Sequence, residues 1–204
     1  RKYIVDSKVI RFEGNGYSEE WKKEAKRRGL NNFTTTPVAL DAFVTKKSLG
    51  LFEEMNIFSH REAEARHEIM LETYIKKIEI ESRIMGDLAM NHIVPTAIRY
   101  QTLIAENVDN LKDCGLKADM FSTQIEMLKE LSIHINGIKK NVDAMSTARD
   151  KANNLSSIRD KAIAYCDKVK AYFDTIRDHV DSLEMMIDDE MWPMVKYREL
   201  VTIR

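Results

Sequence analysis

Nine apolar residues recur three or four apart in the last third of the chain: Ile158, Ala162, Cys166, Val169, Phe173, Ile176, Val180, Leu183 and Ile187. Their spacings run four, four, three, four, three, four, three, four. A helix brings a face round every ~3.6 residues, whereas a strand alternates every second residue. A seam sustained this long therefore demands a long helix packed at a shallow angle on its neighbours. Leu128, Leu131, Ile135, Ile138, Val142 and Met145 alternate in the same way just before it. Asn153-Asn154 reads as a tight turn, and Ser157 with Asp160 as a variant capping box. So short a link makes these helices antiparallel neighbours.

A third long helix is predicted upstream. Ser59-His60-Arg61-Glu62 fits a capping box, with Ser capping forward and Glu reaching back. From there to Asn91 the only helix-weakening residue is Gly86. Met70, Tyr74, Ile78, Met85 and Leu88 form a stripe on this element. At ~1.5 Å per residue it would be ~45 Å long. Pro95 lacks an N–H and its ring crowds the Asn91 carbonyl, so a kink or restart is expected there. A second segment then runs from Pro95 to about Leu111 and ends at Gly115.

Residues 1–58 are broken into shorter elements. Ile4, Val5, Val9, Ile10 and Phe12 suit a strand or an incoming helix end, and Gly14-Asn15-Gly16 is a turn signal. Ser18 is an N-cap for a helix from Glu19 to Arg28, with acids first and bases last as the helix dipole favours. Gly29 is its natural C-cap. Thr36 followed by Pro37 repeats the start signal. A short helix to about Lys47 and another around Leu49–Met55 follow. Pro193 is expected to stop the last helix, leaving Met194 to Arg204 as an extended tail. The expected fold is all-α: an antiparallel bundle of three to four long helices preceded by a short mixed or helical N-terminal segment. The divisions are 1–58 (entry segment), 59–193 (bundle) and 194–204 (tail), expected to form one structural domain together.

Composition narrows the function classes. Lys plus Arg number 32 against 33 Asp plus Glu, a net charge of -1. That balance argues against a chain built to coat nucleic acid or an anionic membrane. No apolar run approaches the ~20 residues of a membrane span, and no leader peptide opens the chain. Cys114 and Cys166 make no disulfide framework, so reduced thiols in a cytoplasm are expected. The first residue is Arg1 rather than Met, which reads as a fragment or a processed product.

Catalytic constellations are incomplete. Glu64 and His67 form one Glu-x-x-His pair, where a di-iron bundle uses two. The simpler expectation is an acid and a histidine on a charged helix face. His67-Glu68 starts like a zinc-protease helix, but position 71 is Leu. His60 and His67 lie two turns apart, too far for one metal. Gly14-x-Gly16 lacks the third glycine of a dinucleotide loop, since position 19 is Glu. The basic end of the first helix (Lys22, Lys23, Lys26, Arg27, Arg28, beside Trp21) could hold a phosphate, but bases there also favour the helix C-terminus. Asp188-Asp189-Glu190 lacks the ligand spacing of a calcium loop. Acids there oppose the dipole, so a basic group from another segment or chain is expected to compensate. Trp192, Met194 and Tyr197 should fold back on the bundle or dock on a neighbouring subunit. No catalytic, cofactor-binding or metal residue is assigned on these grounds.

A resemblance adds what the spacing does not. The segment Lys8–Trp21 (KVIRFEGNGYSEEW), then Arg27–Leu30 (RRGL) and Thr35-Thr-Pro37, resemble the C-terminal region of type III glutamine synthetases. So do Asn91–Gln101 (NHIVPTAIRYQ), Lys161–Asp167 (KAIAYCD), Asp188–Pro193 (DDEMWP) and Lys196–Leu200 (KYREL). Val195 stands where that family's tail leads one to expect proline. The resemblance implies a parent enzyme joining glutamate and ammonia with ATP and magnesium or manganese. Its catalytic barrel, nucleotide site and metal-binding glutamates would precede Arg1, and none of its catalytic motifs carries onto this chain. It implies large cytoplasmic homo-oligomers, with the catalytic domain of the same chain and neighbouring subunits as partners. The chain would then be a helical appendage for packing, assembly or regulation, inactive alone. A free-standing helical adaptor and a helical metalloenzyme built on Glu64 and His67 are the alternatives.

Overall fold

The computed structural model describes residues 1–202; Ile203, Arg204 and the side chains of Val9 and Tyr197 lie outside that description. Short helices come first: α1 (Lys2–Asp6), α2 (Glu19–Arg27), α3 (Thr36–Leu40) and α4 (Lys46–Glu54). The long elements follow: α5 (His60–Leu88), α6 (Val94–Asp113), α7 (Ser122–Asn153), α8 (Ile158–Ala164) and α9 (Ala171–Met186). A final turn of helix, α10, spans Tyr197–Val201. Among the described residues there is no strand, as the all-α reading requires.

Pro95 does not break the helix. A π-helical turn over Ala89–Ile93 joins α5 to α6 without interruption. A π turn inserts one extra residue into the helical ladder. That widening accommodates the proline ring and its missing N–H, so the helix continues instead of restarting. The joined element covers residues 60–113, ~80 Å at ~1.5 Å per residue. A second π turn, Tyr165–Val169, joins α8 to α9. The chain thus folds into three long rods, α5–α6, α7 and α8–α9. The middle rod packs on α6 near its start and on α9 along its length, while α8 packs on α5. The short helices α3 and α4 pack on the start of α5.

Helix ends follow the sequence signals closely. Ser59 accepts from the Glu62 N–H while the Glu62 carboxylate accepts from the Ser59 N–H, completing the capping box. Ser18 and Ser157 cap α2 and α8 in the same forward sense. Gly29 takes φ 68° and Gly115 φ 81°, a left-handed conformation that side chains resist. The cap of α3 is Thr35, one residue earlier than expected, with Thr36 already helical.

The core confirms the two C-terminal seams and shifts the first. Leu131, Ile138 and Met145 of α7, with Ala162, Val169, Ile176 and Leu183 of the third rod, are buried. The second π turn brings Tyr165 into this core beside Val169, which a simple four-three count does not reveal. On α5 the deepest positions are Ala63, His67, Leu71, Ile75, Ile78 and Ser82. Of the predicted stripe only Ile78 is fully buried; Met70, Tyr74, Met85 and Leu88 flank it at the edge. The tail is not extended throughout: α9 ends at Met186, before Pro193, and α10 forms beyond it.

Candidate interaction surface and polar clusters

The most distant polar contact in sequence ties three elements together. Asp41, in the turn after α3, accepts two hydrogen bonds from Arg159 Nε (3.0 and 2.9 Å) and one from Nη2 (2.7 Å). The Arg159 guanidinium holds the Asp41 carboxyl below its usual range. His67 Nε2 lies 3.5 Å from Asp41 Oδ1 and lacks a well-formed hydrogen bond among the described residues. His67 is thus buried against this pair, while Glu64 is exposed. The expectation of both on a charged face is corrected for His67. A cation beside the imidazole also makes a poor neighbour for a metal. His60 turns the other way, 3.3 Å from Glu53 of α4. No group of three or more His, Cys, Asp or Glu among the described residues is placed to hold a metal ion.

A second cluster lies in the α7–α9 seam. His134 Nδ1 is 3.0 Å from His179 Nδ1, with the rings edge to face at 5.3 Å. Gly137, one turn on, explains the closeness. A Cβ there would sit 2.3 Å from His179 Nε2. Burial and the neighbouring His179 both lower the pKa of His134, and Glu130 opposes them. On the opposite side of α7, Gln101 of α6 donates to the Leu128 carbonyl (3.2 Å) and to Ser132 Oγ (2.6 Å). Arg149 of α7 reaches Ser82 Oγ of α5 at 3.4 Å, and Tyr165 donates to Asn153 Oδ1 at 2.9 Å.

The acid run after α9 finds its compensating base inside the chain. Lys196 donates to Asp189 and to the Glu184 carbonyl (2.9 Å), and Arg198 donates to Asp189. These two cations hold the Asp189 carboxyl below its usual range. Trp192 is buried, with the Lys196 ammonium 5.8 Å from its ring. The tail therefore straps back over its own bundle, whereas Met194 remains part-exposed and Val195 exposed.

Other residues singled out by sequence have structural partners. Glu24 accepts from both Arg27 and Arg28, which brings its carboxyl down to about 2. The basic end of α2 is thereby partly neutralised within one helix. Trp21 packs on Phe12 at 4.9 Å. In the Gly14-Asn15-Gly16 turn, Asn15 Oδ1 accepts from the Tyr17 N–H. Cys114 is exposed and Cys166 half-buried, both free thiols. Burial and a hydrogen bond with Cys166 raise the pKa of Tyr74.

Among the described residues, apolar surface is open at two places in particular. A cleft of about 420 Å³ lies between α5 and α9, walled by Ile84, Leu88, Phe173, Val180 and Met194. At the other surface, Tyr3, Ile4, Val5 and Ile10 project from α1 and the turn after it, each more than half exposed. No helix among the described residues is long and apolar enough to cross a membrane. Open apolar surface of this kind is the usual mark of a protein contact.

Residues 1–112 match the family described as the glutamine synthetase C-terminal domain. The chain belongs to that family. It is also 45% identical to a glutamine synthetase of Bacteroides fragilis, over 98% of this chain and 28% of the relative. A type-3 glutamine synthetase of Dictyostelium discoideum is 32% identical, covering 100% of this chain and 29% of the relative. A glutamine synthetase of Butyrivibrio fibrisolvens is 27% identical over 98% of this chain and 29% of its own length. The chain spans less than a third of the length of these relatives. The family resemblance drawn from KVIRFEGNGYSEEW and NHIVPTAIRYQ falls within the matched residues.

Proposed function

We propose that this chain is the C-terminal helical part of an ATP-dependent glutamine synthetase and acts as a packing and assembly element. The observation that carries the reading is the match along nearly the whole chain to glutamine synthetases more than three times its length. In the parent reaction, glutamate and ammonia are joined at the expense of ATP, with magnesium or manganese as the metal. Phosphoryl transfer needs metals and cations converging on the γ-phosphate. The donor sets here do not fit that chemistry, because Asp41 is taken by Arg159, and Asp189 by Lys196 and Arg198. No step of the reaction is therefore assigned to these residues. The open cleft and the apolar α1 surface suit contacts with the catalytic part of the same polypeptide and with neighbouring subunits of a cytoplasmic homo-oligomer.

The test is the size and activity of the native polypeptide. Immunoblotting of source-cell lysate should detect a band several times larger than 23.7 kDa, co-purifying with glutamine synthetase activity. The isolated chain should form no glutamine from glutamate, ammonia and ATP. A native product near 23.7 kDa without a synthetase partner would instead support a free-standing adaptor.

A further inference from the structure

We infer that the His134–His179 pair is a proton-operated latch between α7 and α9, closed when at most one of the two rings is imidazolium and opened when both are. The argument begins with donor and acceptor capacity. Two Nδ1 atoms 3.0 Å apart require one to carry hydrogen and the other a lone pair. A neutral pair satisfies this with opposite tautomers. A singly protonated pair satisfies it with a charge-assisted bond. A doubly protonated pair cannot, because both atoms then carry hydrogen and both rings carry charge.

The surroundings leave little room for relief. Gly137 places His179 directly over the backbone of α7, and both rings are half-buried. The other charge acting on His134 is Glu130, one turn earlier on α7. On α9, Asp178 and Asp181 flank His179 in sequence and are exposed. From α6, the neutral amide of Gln101 reaches the opposite side of α7, at Ser132. The seam thus contains one acid near His134 to offset two imidazolium charges. Opening it loosens the end of α9, which leads directly into the strap of Ile187, Trp192 and Lys196.

Hydrogen exchange of the intact chain, corrected for intrinsic rates, tests this at pH 7.5 and pH 5. Amides of residues 176–187 should lose protection ~tenfold at the lower pH, the factor that one unit of pKa coupling supplies. The double variant His134→Gln with His179→Gln should lose most of that pH dependence. Nitrogen-15 NMR of the wild-type imidazoles gives a readout that needs no variant to fold. The two rings should titrate in two separated steps, with opposite tautomers above the first. Independent titration with matching midpoints, or protection unchanged between the two pH values, overturns the latch.

Discussion

The approach of His179 to α7 at Gly137 gives the bundle's sharpest test. Replacing Gly137 with Ala adds one methyl group in the middle of α7. In an open helix that change stabilises by ~1 kcal/mol, because glycine loses more backbone freedom on folding. Here the new Cβ would meet three ring atoms of His179 at 2.3, 2.6 and 2.7 Å. Carbon contacts relax near ~3.5 Å, so the ring must retreat by about 1 Å. Overpacking of this kind costs ~1–3 kcal/mol. The net expectation is a loss of up to ~2 kcal/mol, or several degrees of Tm at ~2–4 °C per kcal/mol for a chain of this size. In a His179→Ala background the obstacle is gone, so the same substitution should stabilise by ~1 kcal/mol. Urea unfolding of the four proteins in the cycle measures the sign in each background. Stabilisation of equal size with and without the imidazole would refute the close-approach argument.

Other outcomes follow from single contacts. Leu131→Ala removes a fully buried side chain between the rods and should cost ~2–5 kcal/mol by urea unfolding. Ser59→Ala removes the cap of the longest rod and should cost ~0.5–2 kcal/mol, read as a Tm decrease. Arg159 lowers the folded-state pKa of Asp41, so the pair's stabilisation is present above the unfolded carboxyl value of ~3.9. It is lost as pH falls through the lower folded value, and Asp41→Asn should flatten that part of the acid-unfolding curve. Lys196→Met should free the strap, seen as faster protease cleavage between 187 and 202 with the bundle core still protected; unchanged cleavage would mean that Trp192 burial alone holds the tail.

The local elements were legible because their causes are local. Four-three spacing, the Ser59-to-Glu62 box and the glycines at 29 and 115 act within a turn or two of where they stand. They set the all-α class, the long helices and most helix ends. The family, too, was readable from short ordered segments of the sequence. The continuation through Pro95 was not, because a proline that breaks an ordinary α-helix is tolerated when the preceding turn widens. The register of the α5 core also escaped. Helix periodicity identifies a broad apolar face, but only the neighbouring rods decide that Leu71, Ile75 and the small Ser82 lie deepest.

The polar clusters were decided by tertiary structure alone. Asp41 and Arg159 are 118 residues apart, and no spacing rule links a turn to a helix so far along the chain. His67 looked like half of a metal motif, yet its partner is the Asp41–Arg159 pair rather than Glu64. The sole hint of the His134–His179 contact was a glycine in mid-helix, which permits a close approach without naming the visitor. The acid run at 188–190 predicted that a base must come, and the folding back of the tail supplied Lys196 and Arg198. Sequence dictates what each residue needs from its immediate neighbours; the packing of the rods determines which distant side chain meets that need, because it alone sets distances across the bundle.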